Sequence, residues 1–425
     1  MPSTALSTSP IALDTRRGDD EGYVGIADIA GELDGHIATI AHVDVVPAGP
    51  GWATDPYVME RREGWLLGRG VIDDKGPAVL SLYAGAYLLS RGIKPRYGFR
   101  ALLGCDEEVG MTDVHHYLES HEQPLFLFTP DAEFPVCNAE KGCFGGMFVS
   151  APIKDGAIES WSGADATNAI PSESVCVLAV PVSELPAPRS HAERLTVEPL
   201  GEGRSRIFAK GIGGHASLPQ GTVNAIALIV DYLQEISAER PDLLSEGERT
   251  YLNLLSIVHE GTAGEGLGIE AESAAFGPLT CNAGTIKVSD GRISQTIDVR
   301  YPDSITCDEM SMICRAHAAR YGAEFVLDST KEPFSTSAES PAVQALLDTY
   351  REVTGKHAEP FSMGGGTYAR NFKSAVSFGP EDNDLELPEW AGTMHGPNEA
   401  ANEALLRDAL KMYILAILRL NELEL

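Results

Sequence analysis

Three apolar runs in the first third of the chain each end in residues that can bind a metal or move a proton. Residues 35–42 close on His42, with Asp44 two positions on. Residues 96–104 are followed by Cys105-Asp106-Glu107-Glu108, and residues 124–128 by Thr129-Pro130-Asp131. Short apolar runs bounded by turn signals predict buried strands. Between the first two, residues 76–90 read as a helix, with Pro77 in its first turn and Gly92 as its stop. Strands alternating with helices predict an α/β fold with parallel members and helices on its faces. In such open sheets ligands bind beyond the carboxyl ends of the strands, so residues at three such ends converge.

Past Glu140 the acids no longer sit at strand ends. From there to about Glu332, helical stretches such as 223–237 mix with strand-like stretches such as 291–300. This predicts an inserted second domain over 141–332. The remainder holds a helix over 341–353, a glycine run at 364–366, a strand over 375–378 and a closing helix over 399–420. These complete the first domain, which takes 1–140 and 333–425. Residues 1–22 lack periodicity and are expected to lie loose.

A formal charge of -30 argues against nucleic-acid or anionic-membrane partners, which need a basic surface. No run approaches the roughly 18 apolar residues of a membrane-spanning helix. The start has neither a basic nor an apolar signal region. The seven cysteines include no C-x-x-C pair, so they are expected as buried free thiols of a cytoplasmic protein.

Taken singly, each polar cluster has an ordinary explanation. His42-x-Asp44 is a common surface pair, and Asp73-Asp74 before a helix is a common turn or N-cap. Glu107-Glu108 could be a solvated pair, His215 a loop histidine, and Arg300 half of a surface ion pair. The glycine run ending in Thr367 lacks the lysine of a phosphate loop. Joint placement changes the weight. Histidine and carboxylates without thiolates form the ligand set of a catalytic zinc. Asp44 lies on the same side of an extended chain as His42 and can hold its second ring nitrogen. Glu107 and Glu108 are adjacent and cannot both point the same way. One can bind metal while the other serves as a base.

His42-Val43-Asp44-Val45-Val46-Pro47, Gly68-Arg69-Gly70-x-x-Asp73-Asp74-Lys75-Gly76 and Asp106-Glu107-Glu108 resemble the co-catalytic zinc peptidases, among them aminoacylase and carboxypeptidase G. Pro130-Asp131-Ala132-Glu133-Phe134-Pro135 and Gly364-Gly365-Gly366-Thr367-Tyr368-Ala369-Arg370 are most similar to the peptidase-V dipeptidases. The resemblance runs from about Tyr23 to the C-terminus. It implies a zinc-exopeptidase catalytic domain with a central mixed sheet flanked by helices, plus an inserted α+β lid.

The resemblance also implies roles. His42 and Asp131 would hold one zinc, Glu108 and His395 the other, and Asp73 would bridge them through a carboxylate whose peptide to Asp74 is cis in relatives. Co²⁺ or Mn²⁺ could stand in for Zn²⁺. Asp44 would orient His42, and Glu107 would be the general base. His215 would reach the oxyanion from the lid, while Asn168, Arg300, Gly365, Gly366 and Thr367 would meet a small peptide substrate with a free carboxylate. The chain would act as a monomer or homodimer. An N-acyl amino acid deacylase uses the same chemistry, and a non-catalytic binding protein could keep the scaffold. Relatives carry a helical segment before the first strand. None is legible before Tyr23, so an exposed apolar patch is expected there.

Overall fold

A computed structural model describes residues 24–425. The expectations for the segment ahead of the first strand fall outside the described residues. The chain divides into two compact units, one of residues up to Glu140 and from Ser335 to Leu425, the other of Lys141–Phe334.

The first unit is built on a mixed sheet. Its elements are β1 (Gly25–Ile29), β2 (His36–His42), α1 (Lys75–Ser90), β3 (Gly98–Gly104), α2 (Thr112–Ser120), β4 (Phe126–Thr129), β5 (Cys137–Glu140), α3 (Pro341–Thr354), β6 (Phe361–Met363), β7 (Ala375–Ser377) and α4 (Glu403–Glu422). The strand order is β1-β3-β2-β4-β7-β5, with β6 on β5. The strands β3, β2, β4 and β7 run parallel, while β1 is antiparallel to β3 and β5 antiparallel to β7; β6 runs parallel to β5. Register puts His42 opposite Gly104 and Ser377 opposite Thr129. The four parallel strands therefore end at one edge of the sheet.

Burial explains why these segments are strands. Ile37 through His42 are all buried, as expected of a strand covered on both faces. Ile37, Phe99, Phe126, Phe128, Val376 and Phe378 share a core with Leu346, Met412, Tyr413 and Ile417 of α3 and α4. Each such side chain contributes about 1.5–3 kcal/mol on burial, so the sheet and these helices are one cooperative core. The outer side of α1 is different: Val79, Tyr83, Tyr87 and Leu89 are exposed apolar residues.

The closing helix begins at Glu403, not at 399. Ala400–Asn402 forms a strand on Trp65–Leu67, and the Asn402 side chain caps the helix by accepting from the N–H groups of Ala404 and Leu405. Apolar periodicity runs through this stretch, but a strand pairing with a distant segment overrides it. Of the seven cysteines, Cys137, Cys176, Cys281 and Cys314 are buried free thiols as expected; Cys143 and Cys307 are half-buried and Cys105 is exposed.

The second unit is α+β. One antiparallel sheet orders Leu195–Gly201, Arg204–Lys210, Glu173–Leu178 and Ile158–Ser162; another orders Thr280–Ser289, Arg292–Tyr301, Gly142–Val149 and Glu324–Lys331. Residues of Gly142–Val149 alternate between buried and half-buried, the period-2 signature of a sheet with one packed face. Capping boxes start two helices, Ser245 with Glu248 and Thr306 with Glu309.

Candidate metal centre

The edge where the parallel strands end carries the site. His42 is the last residue of β2. Past β3 the chain turns through Cys105–Glu108, and past β4 through Pro130 and Asp131. Asp73 arrives from the loop before α1. That loop needs glycine at position 70, where φ is +85° and a Cβ would meet Val45 Cγ1 at 2.8 Å. The Asp73–Asp74 peptide is cis. His395 comes from the loop before α4, with φ +61°.

Asp73 stands between the two histidines. Its Oδ1 lies 2.9 Å from His42 Nε2 and its Oδ2 2.8 Å from His395 Nε2. Asp131 Oδ2 is 3.8 Å from His42 Nε2, and Glu108 Oε2 is 3.4 Å from His395 Nε2. Two triads result, His42 with Asp73 and Asp131, and Asp73 with Glu108 and His395. In each, ligand atoms lie within 4.8 Å of one another. All five residues expected as ligands thus come together.

The donors fit divalent cations. His42 Nε2 is buried and makes no hydrogen bond of good geometry, although Asp73 Oδ1 is close. Buried carboxylates this near each other need positive charge. Without cations, the imidazoles of His42 and His395 supply it among the described residues. For His42, burial works against protonation, but Asp131, Asp44 and Asp73 outweigh it and hold its pKa well above the ordinary value. Asp73 and Glu108 raise His395 to about 10. Nitrogen and oxygen donors without thiolate suit an open catalytic site.

Asp44, expected to orient His42, lies behind its ring. His42 Nδ1 is 3.0 Å from the Asp44 carbonyl and 3.3 Å from its carboxylate. Asp44 Oδ2 accepts the Glu108 N–H at 3.1 Å, and Glu108 Oε1 accepts the Val46 N–H at 3.3 Å. This turns the other Glu108 oxygen toward His395. Burial, then the charge of Asp131, pushes Glu107 up to about 9, against the opposing pull of His42.

Two acids beside the cluster are not among the site residues expected from the sequence. Asp74 accepts the His42 N–H at 3.1 Å, and burial with the nearby Asp131 raises its pKa well above the carboxylate range. Glu381 is raised likewise, by burial and then by Asp131 and Asp73. It follows β7, so the strand-end rule that found Asp131 would have found it. A Cβ at Gly379 would lie 1.7 Å from the Pro130 carbonyl oxygen, so glycine there lets the two strand-end loops run side by side.

The remaining expected residues divide. Thr367 is buried; its N–H and hydroxyl both donate to Glu140 Oε1, at 3.1 and 2.6 Å. Gly365 and Gly366, just before it, are half-buried. In the second unit, Ala169 pairs with His215, and the Ala216 N–H donates to the Asn168 carbonyl at 2.8 Å. Asn168 and His215 are therefore neighbours, both exposed. The Ser217 N–H points to His215 Nδ1 at 3.2 Å. A backbone N–H can only donate, so the neutral ring carries its proton on Nε2. Arg300 is forked onto Asp298 at 2.7 and 3.0 Å, with Nη1 3.0 Å from Cys143 Sγ. A substrate carboxylate would have to compete with Asp298 for that fork.

The profile of Peptidase family M20/M25/M40 matches residues 38–419. The chain is 32% identical over 375 residues to "Putative dipeptidase YtjP" of Bacillus subtilis (strain 168), covering 85% of this chain and 78% of that one. It is 30% identical over 401 residues to "Beta-Ala-Xaa dipeptidase" of Lactobacillus delbrueckii subsp. lactis, covering 90% and 81%. Among solved structures, its fold resembles aminoacylhistidine dipeptidase from Vibrio alginolyticus, with a TM-score of 0.56, 17% identity, and 96% and 89% of the two chains covered.

Proposed function

Because the chain belongs to the peptidase family M20/M25/M40, whose members are metal-dependent hydrolases, we propose that it is a dinuclear zinc dipeptidase acting on short peptides with a free carboxylate. The observation that carries this is the Asp73 carboxylate, with one oxygen at each histidine. The dipeptidase names of the relatives supply the substrate class.

His42 and Asp131 would hold one cation, Glu108 and His395 the other, with Asp73 shared. Bound there, the ions supply Lewis acidity and bring the pKa of water toward neutrality. The chain's own residues do the rest. Asp44 fixes the His42 ring. Glu107 takes the proton of the attacking water and returns it to the leaving amine. His215 donates its Nε2–H to the oxyanion. Asn168 and the Gly365 and Gly366 backbone are the groups we assign to the substrate. Thr367, committed to Glu140, holds that backbone in place. No helix among the described residues is long and apolar enough to cross a membrane.

The test is hydrolysis of a dipeptide panel beside N-acetyl amino acids, before and after chelation and with Zn²⁺, Co²⁺ or Mn²⁺ restored. Dipeptide cleavage that is lost on chelation and regained with Zn²⁺ is expected. Preferential cleavage of N-acetyl amino acids would replace this reading with a deacylase.

A further inference from the structure

Arg69 and Glu399 are 330 residues apart and form an ion pair with both side chains 1% exposed. Arg69 Nη1 donates to Glu399 Oε2 at 2.6 Å. The same oxygen accepts the Gly70 N–H at 3.1 Å. The other oxygen accepts the Ile72 N–H at 3.1 Å and faces the Asp73 N–H at 3.5 Å. One carboxylate therefore gathers the backbone of the loop that presents Asp73. The opposite end of the guanidinium reaches the other loop: Nη2 donates to the His395 carbonyl at 3.1 Å. The Gly68 N–H returns a bond to the Glu399 carbonyl at 3.1 Å.

We propose that Arg69 and Glu399 are a positioning pair that sets the spacing of Asp73 and His395, and so the second cation site. The chemistry requires such a device. Asp73 and His395 come from loops far apart in sequence, and His395 sits in a left-handed backbone that L-residues rarely adopt. Its ring is half exposed, so packing alone does not hold it. The buried ion pair bonds to the backbone of both residues. His42 and Asp131 hang on β2 and β4, so the first cation site depends on the pair through the shared Asp73 alone, whereas the second depends on it through both Asp73 and His395. The two cation sites should therefore respond differently when the pair is broken.

This inference rests on the two-cation reading of the site. The test is Co²⁺ titration of metal-stripped protein, followed by visible absorption and equilibrium binding, in wild type, Glu399→Gln and the double variant Arg69→Met/Glu399→Met. The double variant removes both buried charges together and so avoids stranding one of them. Circular dichroism and melting identify the folded samples. Wild type should bind two ions. In the folded variants one ion should bind at least about tenfold more weakly, the scale seen when groups behind metal ligands are removed, while the other, tied to the pair through Asp73 alone, weakens less. For dipeptide hydrolysis, kcat should fall while KM holds. A wild type binding fewer than two ions would overturn the two-cation reading. If wild type binds two and the folded double variant also binds two with unchanged affinity, the positioning role is overturned while the metal centre stands.

Discussion

The ring of His42 is pinned by Asp44 from behind, with Nδ1 3.0 Å from the Asp44 carbonyl and 3.3 Å from its carboxylate. Nδ1 thus carries the proton and Nε2 is left to face Asp73 and Asp131. Asp44 also accepts the Glu108 N–H, so one carboxylate steadies a residue in each triad. Asp44→Ala should weaken metal binding by about 10–100-fold, measured by competition with a chromophoric chelator. An affinity within twofold of wild type would remove Asp44 from the ligand-orienting role.

The proposed function gives the neighbours Glu107 and Glu108 different work. Glu108 is held by Val46 and turned toward His395. Glu107, raised to about 9 mainly by burial, is not among the residues of either triad. Glu107→Gln should keep the full metal content and lower kcat by about 10²–10⁴-fold, the worth of a general base. Metal content by plasma emission and steady-state rates on one dipeptide decide it. Near-normal turnover would sink the assignment.

His215 is exposed, and its Nδ1 accepts from the Ser217 N–H, which puts the neutral ring's proton on Nε2. His215→Ala should cost about 10²–10³ in kcat, as the loss of one oxyanion donor does, with metal content unchanged. Loss of metal in that variant would instead make His215 a ligand.

How far the sequence disclosed this site follows from how local each signal is. His42, Glu108 and Asp131 stand just past apolar runs, and strand ends can be read one segment at a time. The same rule would have given Glu381. Asp298-x-Arg300 places two charges on one face of a strand, so the fork that occupies Arg300 was also legible. The Arg69–Glu399 pair was not. Nothing near either residue indicates a partner 330 positions away, and Glu399 sits where apolar periodicity reads as the start of a helix. Thr367 escaped for a related reason. A threonine after three glycines suggests an open loop, but a buried carboxylate at Glu140 draws its hydroxyl inward.

That contact makes Thr367 a stability residue. Glu140 is buried, with its pKa raised to about 7 by burial against the pull of Arg370 and Thr367. Thr367→Val keeps the shape and removes the 2.6 Å hydroxyl bond. Leaving a buried acceptor short of a donor costs about 1–3 kcal/mol. Denaturant unfolding should show a loss of that size. A loss below about 0.5 kcal/mol, the scatter of an ordinary surface substitution, would mean the bond is dispensable.

His36 opens β2 far from the metal centre, and its acid response can be read separately. Burial, then the neighbouring Arg100, lowers its pKa from 6.5 to about 4, against the opposing charge of Asp28. Its buried Nε2 makes no hydrogen bond. Between pH 6.5 and about 4 the unfolded histidine is protonated while the folded one stays neutral. The unfolded state then binds more protons, so stability falls as pH drops through this window and levels off below it. His36→Leu removes that term. The melting temperature of wild type minus that of His36→Leu should be constant above pH 7 and should decline from pH 6.5 toward pH 4. Taking the difference cancels the acid response of the metal centre, which both proteins share. A difference that stays flat across the window would show that His36 titrates alike in both states, and that its burial does not govern its charge.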